Sequence, residues 1–181
     1  ASGIMIDRSL YPTEENIAVT ARVAEYCEKL GIGVEGEIGH VGIAANGDEQ
    51  TTEYTTAAEA KDFVDKTHVC ALAIAVGTAH GRYKKAPKLA IERIAEIHAA
   101  TSAALVLHGG SGVPDDQIKA AIKAGIRKIN FGTDFCYAFL DSVFETSRDK
   151  VAVDVFMKDA TASVKKCTEE KMRLLGSTGR I

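Results

Sequence analysis

Val69-Cys70-Ala71-Leu72-Ala73-Ile74-Ala75-Val76-Gly77-Thr78-Ala79-His80-Gly81 reads as an apolar strand that runs into a histidine set between glycines. A strand without polar alternation is buried on both faces, the condition of a parallel strand covered by helices. The reading extends outward in both directions. Upstream, Ile4 to Asp7 is a short strand, and Pro12-Thr13-Glu14-Glu15 opens a helix with a capping residue and an acidic first turn, closed by Gly31. Gly33 to Gly39 is the second strand, His40 to Tyr54 a polar loop with a turn signal at Asn46-Gly47-Asp48, and Thr56 to Thr67 a helix. Downstream, a helix runs from Pro87 to about Ala100, Ala103 to Leu107 is a strand, and Asp115 to Ala124 is a helix ended by Gly125. Ile126 to Phe131 is the fifth strand, and helices over Asp134 to Thr146 and Asp154 to Leu175 finish the chain. This alternation predicts an α/β fold of parallel strands with covering helices. A closed (β/α)8 TIM barrel takes eight strands and about 250 residues. Residues 1–181 then form a single domain holding about the last five β/α units of such a barrel. An open doubly wound sheet is the structural alternative that the pattern leaves open.

The 181 residues carry a formal net charge of -3. With no basic run and no acidic tail, nothing points to nucleic acid as a partner. No apolar stretch approaches the roughly 18 residues of a membrane span. The first residues, Ala1-Ser2-Gly3-Ile4-Met5, do not read as a secretory signal. They lack a starting Met and enter a strand at once, so the chain is expected to be incomplete at its front. No two of the four cysteines are spaced as Cys-x-x-Cys. Cys27 and Cys167 in helices and Cys70 in a strand read as buried or half-buried thiols, in a reduced, cytoplasmic setting.

In strands of this kind the polar residues carry the information. Glu35 and Glu37 are two apart and point to one side of their strand. Lys128 and Asn130 share a face of the last strand, and Asp7 ends the first. Glu35 with Lys128 reads as an internal ion pair or as part of a site. Glu37 lies nearer the carboxyl end of its strand, the end where barrel active sites sit. His80 and His108 follow successive strands, and neighbouring strands are about 4.8 Å apart. A lone histidine is usually structural, but two at the ends of successive strands can both reach one ion. A catalytic zinc takes about three protein ligands, and the chain offers two good ones. His68 and His98 read as surface residues, and His40 as a loop residue at the mouth of the second strand. Gly109-Gly110-Ser111-Gly112 and Asn130-Phe131-Gly132-Thr133 follow the last two strands, where barrels commonly bind phosphate. Glycine lets backbone N–H groups approach an anion, Ser111 and Thr133 add hydroxyls, and Thr133 caps the following helix. Two ordinary turns and a helix cap are the plainer reading.

Several of these stretches together resemble one family. Gly77-Thr78-Ala79-His80-Gly81, with Tyr83 and Pro87-Lys88-Leu89, resembles the histidine motif of class II fructose- and tagatose-bisphosphate aldolases. Leu107-His108-Gly109-Gly110-Ser111-Gly112 is similar to their second histidine and phosphate motif, and Lys128-Ile129-Asn130 with Gly132-Thr133 to their last-strand motif. Val34 to Gly39, Met5-Ile6-Asp7 with Glu14-Glu15-Asn16, and Gly176-Ser177-Thr178-Gly179 match other parts of the pattern. The resemblance implies a (β/α)8 barrel, a homodimer or homotetramer, and a divalent ion, usually zinc. His80 and His108 match two of three histidine ligands, and Glu37 a carboxylate linked to an alternative metal position. Gly81, Gly109, Gly110, Ser111, Asn130, Phe131, Gly132 and Thr133 match positions that hold dihydroxyacetone phosphate. The implied reaction is reversible cleavage of fructose 1,6-bisphosphate or tagatose 1,6-bisphosphate to dihydroxyacetone phosphate and glyceraldehyde 3-phosphate, a step of glycolysis and carbohydrate metabolism. The family's Asp-His pair, which brings the catalytic acid and the remaining histidine ligand, would lie before Ala1. The 181 residues alone are therefore expected to be inactive. The loop from His40 to Tyr54 is the candidate lid. It departs from the family in being short and in lacking the usual acidic pattern, which leaves Asp48 and Glu49 as candidate carboxylates. Arg8 stands where the family more often has glycine. Two alternatives are a Schiff-base aldolase using Lys128 and a sugar-phosphate binder without catalysis.

Overall fold

The computed structural model describes residues 1–39, 54–81 and 83–180. The expected lid, with His40, Asp48 and Glu49, lies outside them apart from Tyr54. Contacts divide the chain into two compact units, Ala1–Asn130 and Phe131–Ile181.

The first unit alternates β1 (Gly3–Met5), α1 (Thr13–Glu28), β2 (Gly33–Ile38), α2 (Ala57–Thr67), β3 (Ala71–Ile74), α3 (Ile91–Ala100), β4 (Ala104–Leu107), α4 (Asp115–Ala124) and β5 (Ile126–Ile129). Its sheet is wholly parallel and runs in chain order, β1-β2-β3-β4-β5. A doubly wound sheet reverses its order at a switch point, and this one does not. Register adds a second argument. Lys128 on β5 meets Glu35 on β2 at 2.6 Å, across β3 and β4. In a flat sheet those strands stand about 14 Å apart, at about 4.8 Å per step. Side chains leave a flat sheet roughly perpendicular to it and so do not span that gap sideways, which means that the sheet curls toward the face they share. The five strands are an arc of a barrel.

The other face of the arc is packed by helices. Leu72, Ile74, Leu105 and Leu107 on the strands and Phe63, Ile94, Ile97 and Ile118 on the helices are fully buried. Each such side chain stabilises the fold by about 1.5–3 kcal/mol. Gly36 lets α2 approach, because a Cβ there would stand 2.8 Å from the Phe63 ring.

Several element boundaries differ from the sequence expectation, each for a local reason. The α1 cap is Pro12 with no side-chain bond, and Thr13 is already helical. The helix expected from Pro87 begins at Ile91, because the amides before it are taken. Ala90 N donates to Val76 O at 3.0 Å and Leu89 N to Gln117 Oε1 at 2.6 Å. Cys70 precedes β3 and is exposed, not buried, while Cys27 is buried and Cys167 is half-buried. His68 and His98 are exposed, as expected. Among the described residues no helix is long and apolar enough to cross a membrane.

The second unit is a pair of helices, α5 (Thr133–Glu145) and α6 (Val153–Leu175). The Lys171 ammonium lies 2.6 Å from Asp134 and 4.7 Å from the centre of the Phe131 ring, tying the end of α6 to the start of α5. Gly132 occupies the cap of α5 and Thr133 its first helical position, so Thr133 is not the cap.

Candidate active site

The parity of β2 sends Glu35 and Glu37 to the inner face of the arc. There they would be charges in an apolar interior, a placement that persists only with partners. Their registered neighbours on β3 are Ala71 and Ala73. These methyl groups leave room for both carboxylates to reach past β3 to the residue that follows β4. That residue is His108, which is 4% exposed. Its Nε2–H donates to Glu35 Oε1 at 2.9 Å and its Nδ1–H to Glu37 Oε2 at 3.1 Å. The second oxygen of Glu35 accepts from Lys128 at 2.6 Å. The expected ion pair is therefore present, and it is one arm of a larger network.

Electrostatics follow from that arrangement. Burial alone would lower the His108 pKa, but hydrogen bonds and charge from Glu35 and Glu37 outweigh it and push it up to about 9. Burial alone would raise that of Glu35, but His108 and Lys128 together bring it below the usual carboxylate value. Without a metal both ring nitrogens of His108 are thus donors. A metal there must displace a proton.

His80 lies beyond β3, exposed, with its ring centre 6.0 Å from that of His108 and the planes tilted by 33°. An imidazole centre stands roughly 3.2 Å from a zinc ion bound at its nitrogen, given a bond of about 2.1 Å. Two rings on one ion thus have centres no more than about 6.4 Å apart. The observed pair meets that condition, and Glu37 borders it. Among the described residues no group of three His, Cys, Asp or Glu side chains is arranged to hold an ion. The two histidines fit a divalent metal as part of its ligand set, and a catalytic zinc takes about one ligand more.

The glycine turn after β4 is held from both sides. Gly110 N donates to Asn130 O at 3.0 Å and Asn130 N to Leu107 O at 2.9 Å, which pins the turn to the end of β5. Gly109 has φ +67°, and a Cβ on it would run into the Ala79 carbonyl oxygen, next to His80. The turn thus fits closely against the histidine loop. Gly110 and Ser111 are buried, and Gly81 follows His80 with φ +101°. Of the expected phosphate positions, Gly81, Gly109, Gly110, Ser111 and Asn130 fall in the first unit, and Phe131, Gly132 and Thr133 in the second.

Four supporting residues had no role assigned from sequence. Asn16 on α1 donates to Glu37 O at 2.9 Å and accepts from Thr20 at 3.0 Å, fixing the end of β2. Thr55 donates to Ile38 O at 3.2 Å and accepts from Ala75 N at 3.0 Å, joining the ends of β2 and β3. Tyr83 bonds to Ala79 and Gly109. The only signal for Asn16 and Thr20 is a polar pair on the inward face of a helix. Arg8 pairs with Glu15 and lies over the Tyr11 ring, 3.3 Å from its centre. Asp7 Oδ1 accepts from Ser9 N at 2.9 Å.

This architecture has known counterparts. The family model for fructose-bisphosphate aldolase class-II matches residues 1–180. The chain is 38% identical over 182 residues to the 6-phospho-5-dehydro-2-deoxy-D-gluconate aldolase of Bacillus velezensis, covering 99% of this chain and 63% of that protein. It is 43% identical over 149 residues to the sulfofructosephosphate aldolase of Alkalicoccus urumqiensis, covering 81% of this chain and 52% of that one. The crystal structure of the YdjI aldolase from Escherichia coli K12 superposes with a TM-score of 0.86 at 35% identity, over 99% of this chain and 62% of that one. The chain thus spans less than two thirds of the length of these relatives. The chain belongs to the class II fructose-bisphosphate aldolase family.

Proposed function

We propose that this chain carries the metal-holding and phosphate-holding part of a class II aldolase that reversibly cleaves a phosphorylated ketose into dihydroxyacetone phosphate and an aldehyde. One observation carries the reading: His80 and His108 come within reach of one ion beside Glu37, against a glycine turn that follows His108 directly. Fructose or tagatose 1,6-bisphosphate, giving glyceraldehyde 3-phosphate, is the substrate to which the sequence motifs point. The relatives' substrates, a phosphorylated sugar acid and a sulfonated sugar phosphate, keep the phosphate and vary the other end.

In this reading zinc would be held by His80, His108 and a third ligand outside the described residues, with Glu37 as an alternative ligand. Bound there, the ion would supply Lewis-acid stabilisation of the enediolate charge. The rest is done by the chain's own residues. Backbone N–H groups of the Gly109–Gly112 turn, with the Ser111 hydroxyl, hold the phosphate and so fix the carbon to be deprotonated. Gly110 helps by holding the turn itself, since its amide is bonded to Asn130 O. Gly81 completes that subsite within the first unit, the resemblance adds the stretch Asn130 to Thr133, and Asn130 hydrogen-bonds the developing oxyanion. Glu35, locked by Lys128, sets the orientation of the His108 ring. A loop carboxylate, Asp48 or Glu49, carries the proton. The enzyme works in the cytoplasm as a homodimer or homotetramer and binds neither nucleic acid nor membrane.

The Schiff-base alternative needs Lys128 as a free amine, and the engagement of its Nζ by Glu35 at 2.6 Å weighs against it. The test is an aldol-cleavage assay on the full-length protein before and after chelation. The expected result is loss of activity in EDTA and its return with zinc. Turnover that survives chelation, with borohydride trapping on Lys128, would support the imine instead. Ligand binding with no turnover when zinc is supplied would leave only a binding protein.

A further inference from the structure

The two histidines sit on different loops, and one side chain joins those loops. The Tyr83 hydroxyl accepts from the Ala79 amide at 2.7 Å. The same oxygen stands 2.7 Å from the Ala79 carbonyl oxygen and 3.0 Å from that of Gly109. A phenol has one proton, so it donates to one of these carbonyls at a time. Ala79 immediately precedes His80, and Gly109 immediately follows His108. The Tyr83 ring lies against the glycine turn as well, since a Cβ on Gly112 would stand 3.2 Å from Tyr83 Cδ2. Burial raises the phenol's pKa, against a smaller opposing effect of the bond to Ala79, so it stays protonated and able to donate.

The need for such a tie is physical. His108 directly follows β4 and is gripped by two carboxylates. His80 is exposed on a loop that is tied at its base, where Ala90 N donates to Val76 O at 3.0 Å. A ligand set binds tightly only when its members are held within about 0.5 Å of the productive geometry. Something must therefore hold the tip of the His80 loop against the His108 turn.

We propose that Tyr83 is a positioning residue, whose hydroxyl bridges Ala79 and Gly109 and thereby fixes the separation of the His80 and His108 rings. The inference rests on the metal reading given above. Tyr83 acts through the backbone of Ala79 and Gly109.

The test uses full-length protein, stripped of metal, with Co2+ as the probe. Tyr83→Phe keeps the ring and removes the hydroxyl. The dissociation constant and visible absorption of bound Co2+ are measured, together with the melting temperature of the metal-free protein. The expected result is a loss of Co2+ affinity of about ten-fold or more, the usual effect of removing an outer-shell support. The absorption of the bound ion changes as well, while the metal-free melting temperature moves little. A residue that only packs would do the reverse, and an unchanged affinity and spectrum overturn the inference alone. Wild-type protein that fails to bind one Co2+ overturns the metal reading and this inference with it. Should Tyr83→Phe not fold, hydrogen exchange on the wild type decides: the Ala79 amide is expected to be protected, and fast exchange there contradicts the bridge.

Discussion

His108 is the residue on which the arrangement turns. Its two ring nitrogens are both spoken for, by carboxylates that come from one strand two positions apart. The sequence revealed the ingredients, because charged residues on an otherwise buried strand stand out and their parity is fixed. That both carboxylates converge on one imidazole could not be read from it, since the contact crosses β3 and depends on the small side chains of Ala71 and Ala73. Gly109 offers a test at this scale. With φ +67° and the Ala79 carbonyl where a Cβ would go, Gly109→Ala is both strained and crowded. The expected loss is about 1–3 kcal/mol of unfolding free energy, measured by urea denaturation. A variant as stable as the wild type would mean that the turn and the histidine loop are not in contact.

At the level of elements, the strands and helices were legible wherever their causes are local. Apolar runs marked β3 and β4, and Gly125, with φ +133°, closed α4 where expected. Ends governed by distant partners were not. Pro87 looks like a helix start, yet bonds to Val76 and Gln117 hold the segment outside the helix until Ile91. Thr133 looks like a cap, yet Gly132 occupies that position. The link from α1 to β2 through Asn16 was equally invisible, because its acceptor is a backbone carbonyl 21 positions away. Phe63 on α2, fully buried against Gly36, carries the prediction here. Phe63→Ala should cost about 3–5 kcal/mol in the same denaturation experiment. A cost below about 1 kcal/mol would show that α2 does not rest on the sheet as described.

For the molecule as a whole, the choice between an open sheet and a barrel could not be made from the alternation of elements. Consecutive strand order and the Lys128–Glu35 contact across two strands decide it. The same curvature brings the ends of β3 and β4 to one rim with Glu37. Binding there is therefore expected to stabilise the fold. Full-length protein with zinc at 100 times its dissociation constant should gain about 2.7 kcal/mol over the chelated form. An unchanged melting temperature on adding zinc would argue against a site built into the native state.

The most direct measurement is anomalous diffraction at the zinc edge from crystals of the full-length protein grown with zinc. The account predicts one strong peak within about 2.1 Å of a ring nitrogen of both His80 and His108. A fully loaded protein whose peak lies elsewhere, or touches only one of the two rings, would contradict it.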